Sequence, residues 1–233
     1  MEQFNTDSES YLTQSFRFGD ALAKQASLVL KMLGEVRQVT GNSSIDTTIL
    51  ASGVAEAVLT RTNSSVIEYT VAAISDNKKP HIVGGTKETM QLIYAVFDLK
   101  KGTPSSHPDF YGFDDWNDVI EFADSEEGEN LRVFVNLVQQ HGEKQLYWAL
   151  KTSEKEESDA DIVISTAHKA KGRQWRSVRI SDDFGNVKSD DGKLPLEEIR
   201  LFYVAITRAK ECLIISPSLL SAYQQGKITT DPS

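Results

Sequence analysis

The sequence predicts an α/β protein in which a parallel sheet is flanked by helices and interrupted by a small, mostly helical insert. Short β-rich runs alternate with helical runs between residues 57 and 102, and again between residues 161 and 218. This alternation is typical of βαβ units. Between the two regions the alternation stops, and a turn-rich, acidic stretch leads into helical periodicity. We therefore divide the chain into 1–102, 103–160 and 161–233, with the first and last segments forming one sheet domain.

Each element of the first segment follows from the spacing of its apolar residues. Apolar side chains at helical spacing end at Gly34, and a similar pattern ends at Gly102; both glycines are plausible helix stops. The predicted elements are, in order, a helix at 13–34, a strand at 57–63, a helix at 64–78, a strand at 79–85 and a helix at 87–102.

The insert and the last segment are assigned in the same way. Helical periodicity extends over 119–150, and a charged linker follows at 151–161. Strands are then predicted at 161–166, 177–184 and 212–218, with a helix at about 197–210. Ligands gather at the carboxyl ends of strands in such sheets, so we expect the functional edge where these strands end.

Composition narrows the class of protein. No apolar run approaches the roughly 18 residues that cross a bilayer, and the acidic start of the chain does not read as a signal peptide. Cys212 is the only cysteine, which excludes an internal disulfide and a Cys-rich zinc site. We expect a protein of the cytoplasm without a membrane partner.

The charge is unevenly distributed. The net charge is −9, but residues 109–161 carry 15 acidic and 4 basic side chains, which leaves the rest of the chain at +2. The average therefore conceals a mildly basic framework with one acidic segment, which reads as a separate unit and a candidate surface for a protein partner.

The stretch "ISTAHKAKGRQW" ends a predicted strand in hydroxyl side chains and continues into cations. Five Lys or Arg residues lie between Lys169 and Arg179. Hydroxyls, backbone N–H groups and cations suit phosphate, although a run of charge is as often a solvated surface.

The stretch "EEIRLFYVAITRAK" places Arg208 at a helix end. Its planar guanidinium would suit a transferring phosphoryl group. A structural ion pair with Glu197 or Glu211 is the alternative.

Taken together, these stretches resemble superfamily 1 helicases of the UvrD/Rep family. "ISTAHKAKGRQW" is similar to their motif V, "EEIRLFYVAITRAK" to motif VI, and "LTQSFRFGDALAKQA" to motif IV. A fourth stretch, residues 57–85, resembles the segment that follows motif IV. The resemblance implies the second RecA-like lobe, which shares ATP and single-stranded DNA with an N-terminal RecA-like lobe.

The family's functional residues carry over to positions of this sequence. Arg17 and Arg208 would be the catalytic arginines that reach the γ-phosphate, with Gly172 and Gln174 also on the nucleotide. The strand of DNA would be contacted by Arg61, Asn63, Thr166, His168 and Lys169, with Lys171 the alternative to Lys169 for holding phosphates.

Two departures from the family pattern stand out. Gln174 occupies a position where the family commonly has a Glu, which is expected to bond the ribose of ATP. Gln also donates and accepts hydrogen bonds, so this contact with the ribose can still form. The segment between Thr103 and Asp161 is far shorter than the large insert of the best-known members, and it resembles the insert of F-box DNA helicase relatives.

Two sequence signatures of an ATPase are missing. The sequence contains neither G-x-x-x-x-G-K-[ST] nor an Asp-Glu pair, so ATP with Mg²⁺ would be held mainly by the other lobe. The resemblance therefore implies the C-terminal lobe of an ATP-dependent 3′-to-5′ DNA helicase or translocase, inactive alone, with DNA repair as one of the candidate pathways beside stalled forks and recombination. The alternative is a non-catalytic RecA-like module that binds single-stranded nucleic acid or a protein partner.

Overall fold

The fold is described by a computed structural model that covers residues 13–187 and 192–226. The acidic start of the chain, residues 1–10, and the end of the predicted third segment, 227–233, lie outside the described residues. Within the described part, six strands form one sheet and every adjacent pair is parallel. The predicted α/β fold with a parallel sheet flanked by helices is therefore confirmed.

The order of the strands in the sheet differs from their order in the chain, which requires crossovers. In chain order the strands are β1 (Thr48–Leu50), β2 (Ala57–Thr60), β3 (Pro80–Ile82), β4 (Ile162–Thr166), β5 (Trp175–Ile180) and β6 (Ala209–Ile214). In space the order is β1-β6-β5-β2-β4-β3. The α-helices of the described part are α1 (Asp20–Met32), α2 (Asn63–Ser75), α3 (Lys87–Leu99), α4 (Trp116–Asp124), α5 (Glu129–His141), α6 (Glu143–Lys151), α7 (Leu196–Ile206) and α8 (Pro217–Gln225).

The two faces of the sheet bury different helices. Side chains alternate along a strand, so in β4 Val163 lies in the cluster with α1, α7 and α8, whereas Ile164 lies in the cluster with α2 and α3. The buried residues of α4, α5 and α6 belong to this second cluster as well. The acidic segment thus packs onto the sheet domain and shares its core.

Three predicted helices differ from the observed ones. The helix predicted at 13–34 begins only at Asp20, because Gly19 is its extended N-cap and residues 13–18 precede it without helical structure. The periodicity over 119–150 is divided among α4, α5 and α6. The helix predicted to reach residue 210 ends at Ile206, since β6 begins at Ala209.

None of the helices in the described part is long and apolar enough to cross a membrane.

Candidate functional site

The motif that follows β4 connects opposite edges of the sheet. β4 ends at Thr166, which pairs with Thr60, the last residue of β2. β5 starts at Trp175, three residues before Val178, which pairs with the first residue of β2, Ala57. Residues 167–174 therefore run back from the carboxyl edge to the amino edge. The prediction that the cations lie at the carboxyl edge is wrong for Arg176. Its backbone N–H donates to the carboxylate of Glu56, which lies just before β2, at the amino edge.

The predicted nucleotide residues Gln174 and Arg208 lie at the amino edge. Arg208 immediately precedes β6, and its carbonyl accepts a hydrogen bond from Trp175 N at 3.0 Å. Gln174 immediately precedes β5 and is exposed, as is Gly172. The positive φ of 84° at Gly172 suits glycine.

Arg208 is held by neutral oxygens. Its side chain donates to Val204 O (2.9 Å), Arg173 O (3.2 Å) and Thr207 Oγ1 (3.0 Å). The alternative of an ion pair with Glu211 does not hold, because Glu211 pairs with Arg176 at 3.1 Å. Among the described residues the structure shows no carboxylate within ion-pair distance of Arg208, although the residue is only 8% exposed.

The charge of Arg17 acts on Arg208. Burial first, and then the charge of Arg17, lower the pKa of Arg208. Burial raises the pKa of Tyr203, and the charges of Arg208 and Arg17 oppose that rise. Arginine remains protonated at neutral pH, and the pair is therefore a concentration of positive charge suited to an anion.

The backbone around Arg17 is fixed by a second segment of the chain. Ser15 N donates to Thr40 O (2.8 Å), and Gly19 N donates to Thr47 Oγ1 (2.7 Å). A side chain at Gly41 would place its Cβ 2.3 Å from the backbone of Gly19, so only glycine permits this approach. The exposed Arg17 side chain thus extends from a rigid support.

The segment beside Arg208 is anchored by a carboxylate that the sequence analysis did not identify. Glu157 accepts hydrogen bonds from Trp175 Nε1 at 2.8 Å and from the guanidinium of Arg173. Arg173 also supplies the carbonyl that accepts from Arg208. Glu157 belongs to the linker after α6, so the insert is connected to Arg208 at the amino edge of the sheet through Arg173.

The predicted nucleic-acid residues meet at the carboxyl edge. Lys169 lies 3.1 Å from Glu88 Oε2, and Asn63 Nδ2 approaches the same oxygen at 3.5 Å. Thr166 Oγ1 accepts from Lys169 N at 3.4 Å, and His168 is exposed. The side chains of Asn63, at the start of α2, and of Lys169, in the segment after β4, are thus joined by one exposed carboxylate.

Arg61, the remaining residue predicted to contact DNA, is paired with a carboxylate of the protein itself. Its guanidinium donates to both oxygens of Glu198, at 2.8 and 2.9 Å, and this hydrogen bonding raises the pKa of Arg61. The backbone N–H groups of Arg61 and Thr62 donate hydrogen bonds to the carboxylate of Asp183. DNA would have to compete with Glu198 for Arg61, whereas Asp183 shapes the turn after β2.

We expect Lys169→Met to raise the pKa of Glu88 toward its ordinary value. The hydrogen bond from Lys169 is the largest cause of the lowered pKa of Glu88. A lowered carboxyl pKa means that the contact stabilises the fold above the ordinary pKa and is lost as the pH falls through the folded value. NMR titration of the Glu88 carboxyl measures the shift. Lys171→Met is the control, and an unchanged Glu88 pKa in Lys169→Met would contradict the contact.

Comparison with known proteins shows what part of the chain is similar to a known domain. A family model described as the UvrD-like helicase C-terminal domain matches residues 114–219. This match and the parallel sheet confirm the resemblance to the C-terminal RecA-like lobe of UvrD/Rep-family DNA helicases.

Among individual proteins, F-box DNA helicases are similar over most of the chain. F-box DNA helicase protein 1 of Schizosaccharomyces pombe is 28% identical over 91% of this chain and 28% of its own length. F-box DNA helicase 1 of Gallus gallus is 29% identical over 90% of this chain and 24% of its own length. A probable DNA helicase II homolog of Mycoplasma pneumoniae is 40% identical over 34% of this chain and 12% of its own length. The chain thus spans about a quarter of the length of the F-box helicases that it resembles.

Proposed function

We propose that this chain is the C-terminal lobe of an ATP-dependent 3′-to-5′ DNA helicase or translocase. The observation that carries the proposal is the buried guanidinium of Arg208, which donates to neutral oxygens and has no carboxylate within ion-pair distance among the described residues, in a chain similar to the UvrD-like helicase C-terminal domain. Burying a cation without a counter-charge costs free energy unless a ligand compensates it. A nucleotide phosphate at the lobe interface is such a ligand.

The arginines fit the γ-phosphate of ATP bound with Mg²⁺. Hydrolysis of this ATP would supply the energy of each step. Arg208 presents a guanidinium whose direction is set by three hydrogen bonds, and Arg17 adds a second, more exposed charge. No three His, Cys, Asp or Glu side chains of the described residues come together as a metal site. The proposal therefore assigns Mg²⁺ mainly to the partner lobe, and this chain alone is expected to be inactive.

The segment 167–174 would couple the two ligands. At one end, Thr166, His168 and Lys169 would contact the strand of DNA. At the other end, Arg173 O holds the side chain of Arg208. When the lobes close, a shift of this short segment at the nucleotide end would change its grip on the strand, and opening would reverse the change.

The carboxylate beside Lys169 favours a grip that is easily released. Lys169 contacts Glu88 at 3.1 Å, so it would exchange a protein carboxylate for a DNA phosphate. Such an exchange makes the net gain in binding small, as a translocase needs when it moves along a strand.

A salt titration of single-stranded DNA binding separates this function from a module that binds only a protein partner. Each phosphate contact contributes about −0.7 to the slope of log K against log salt. We expect a slope of about −2 for the lobe, as for three contacts, and a shallower one for Lys169→Met. Arg132→Ala, on α5 of the insert, is the control. A slope near zero for the unaltered chain would exclude the proposed DNA contacts.

A further inference from the structure

Helices α3 and α6 together present an unusual exposed surface of rings and lysines. It consists of Tyr94 on α3 and of Tyr147, Trp148, Lys144 and Lys151 on α6, and we call it the aromatic–lysine surface. The ring centroids of Tyr94 and Tyr147 lie 6.1 Å apart, and those of Tyr147 and Trp148 lie 5.6 Å apart. Tyr94 is 51% exposed and Trp148 is 58% exposed.

The exposed ring of Trp148 is not needed for the packing of α6. The helix is anchored by Leu146, Ala149 and Leu150, which lie in the buried cluster with α2 and α3. Of the chain's three tryptophans, all within the described residues, Trp116 and Trp175 are buried and only Trp148 is exposed. A large exposed ring beside a second one is typical of a binding surface.

The basic residues of the insert are concentrated near this surface. Of the four basic residues between Asp109 and Asp161, three lie at or just after α6, namely Lys144, Lys151 and Lys155. Lys144, Trp148 and Lys151 share one helix face, since they are spaced by four and three residues. Lys151 Nζ lies 5.3 Å from the Trp148 ring centroid and 5.5 Å from that of Tyr147. Positive charge is thus combined with rings inside a segment that is otherwise strongly acidic.

The surface lies partly on the same helix, α3, as a residue of the carboxyl edge of the sheet. α3 carries Glu88, which contacts Lys169 and Asn63, and it carries Tyr94 six residues later. Six residues of helix correspond to about 9 Å along the axis. A strand bound at the carboxyl edge would thus cover about 9 Å along α3 and pass around the helix to reach Tyr94.

We propose that the aromatic–lysine surface binds single-stranded nucleic acid. Unpaired bases stack on exposed rings and lysines bind the phosphates, the combination used by proteins that hold single strands without sequence preference. The surface extends the proposed function, because it adds a second contact beyond Thr166, His168 and Lys169. An acidic polypeptide would use the lysines but would not need the rings.

The test is a titration of the chain with oligo-dT, followed by tryptophan fluorescence and by anisotropy of the labelled strand. We expect oligo-dT to quench Trp148, and Trp148→Ala to weaken binding about tenfold, as for the loss of one stacked base. Trp148→Phe keeps a ring and should recover most of the affinity. Tyr111→Ala removes another exposed ring, 82% exposed and in the acidic part of the insert, and should leave binding unchanged.

The outcomes separate this inference from the proposed function. Weaker binding by Trp148→Ala but not by His168→Ala supports the surface and counts against the proposed contacts at the sheet edge. Weaker binding by His168→Ala alone overturns the inference and leaves the proposed function intact. Polyglutamate that quenches Trp148 as strongly as oligo-dT would also overturn it, in favour of an acidic protein partner. No binding of oligo-dT by the unaltered chain would contradict both.

Discussion

Arg208→Ala is expected to lower the DNA-stimulated ATPase rate of a complete enzyme containing this lobe by about 10³- to 10⁵-fold. The guanidinium is directed by Val204 O, Arg173 O and Thr207 Oγ1 and faces no carboxylate among the described residues. Its charge is therefore available to the developing charge of the transferring phosphoryl group. Single-turnover hydrolysis and binding of single-stranded DNA are measured together, and DNA binding should change little.

Two matched variants distinguish chemistry from folding. Arg208→Lys keeps a charge but loses the planar fork, so it should remain folded and still be strongly impaired. Arg176→Ala removes a more exposed arginine at the same edge of the sheet, one that pairs with Glu211, and should retain its activity. Normal turnover by a folded Arg208→Ala enzyme would refute the assignment of Arg208.

Trp175→Ala is expected to lower the free energy of unfolding of the chain by about 3–5 kcal/mol. The indole is only 3% exposed and lies in the cluster with α1, α7 and α8. Its removal leaves a cavity at the start of β5 and also breaks the contact of Nε1 with Glu157. Because the indole is buried, it packs rather than stacks on a DNA base. Urea denaturation of the chain measures the loss.

Variants at two further positions divide this loss into its parts. Trp175→Phe keeps most of the packing and loses one hydrogen bond, worth about 1 kcal/mol. Trp148→Ala removes an exposed indole and should cost less than about 0.5 kcal/mol. If Trp175→Ala were as stable as Trp148→Ala, the packing described for β5 would be wrong.

Local patterns predict the elements that bury one clear face. α3 and α7 follow from apolar spacing, and β4 follows from a short apolar run before hydroxyl side chains. β1 gives no such signal, because it has three residues and its outer two are exposed. α8 has Ser216 as its N-cap and Pro217 in its first turn, a start signal that the analysis of the sequence did not use.

The candidate site was predictable only in part. The motifs indicate Arg17, Arg208 and Lys169, because each motif is contiguous in the chain. The carboxylates that pair with predicted cations are not contiguous with them, since Glu198 reaches Arg61 across 137 residues and Glu88 reaches Lys169 from the start of α3. Tertiary packing alone brings such pairs together. The amino-edge position of Arg208 also depends on the path of residues 167–174, which spacing does not reveal.

The most direct test of the account is a structure of the complete enzyme with single-stranded DNA, ADP and aluminium fluoride. We expect the guanidinium groups of Arg17 and Arg208 within about 2.7–3.2 Å of the fluoride ligands, with Lys169 released from Glu88. A transition-state mimic that has no contact with either arginine, while Arg208 keeps only its bonds to Val204 O and Arg173 O, would contradict it.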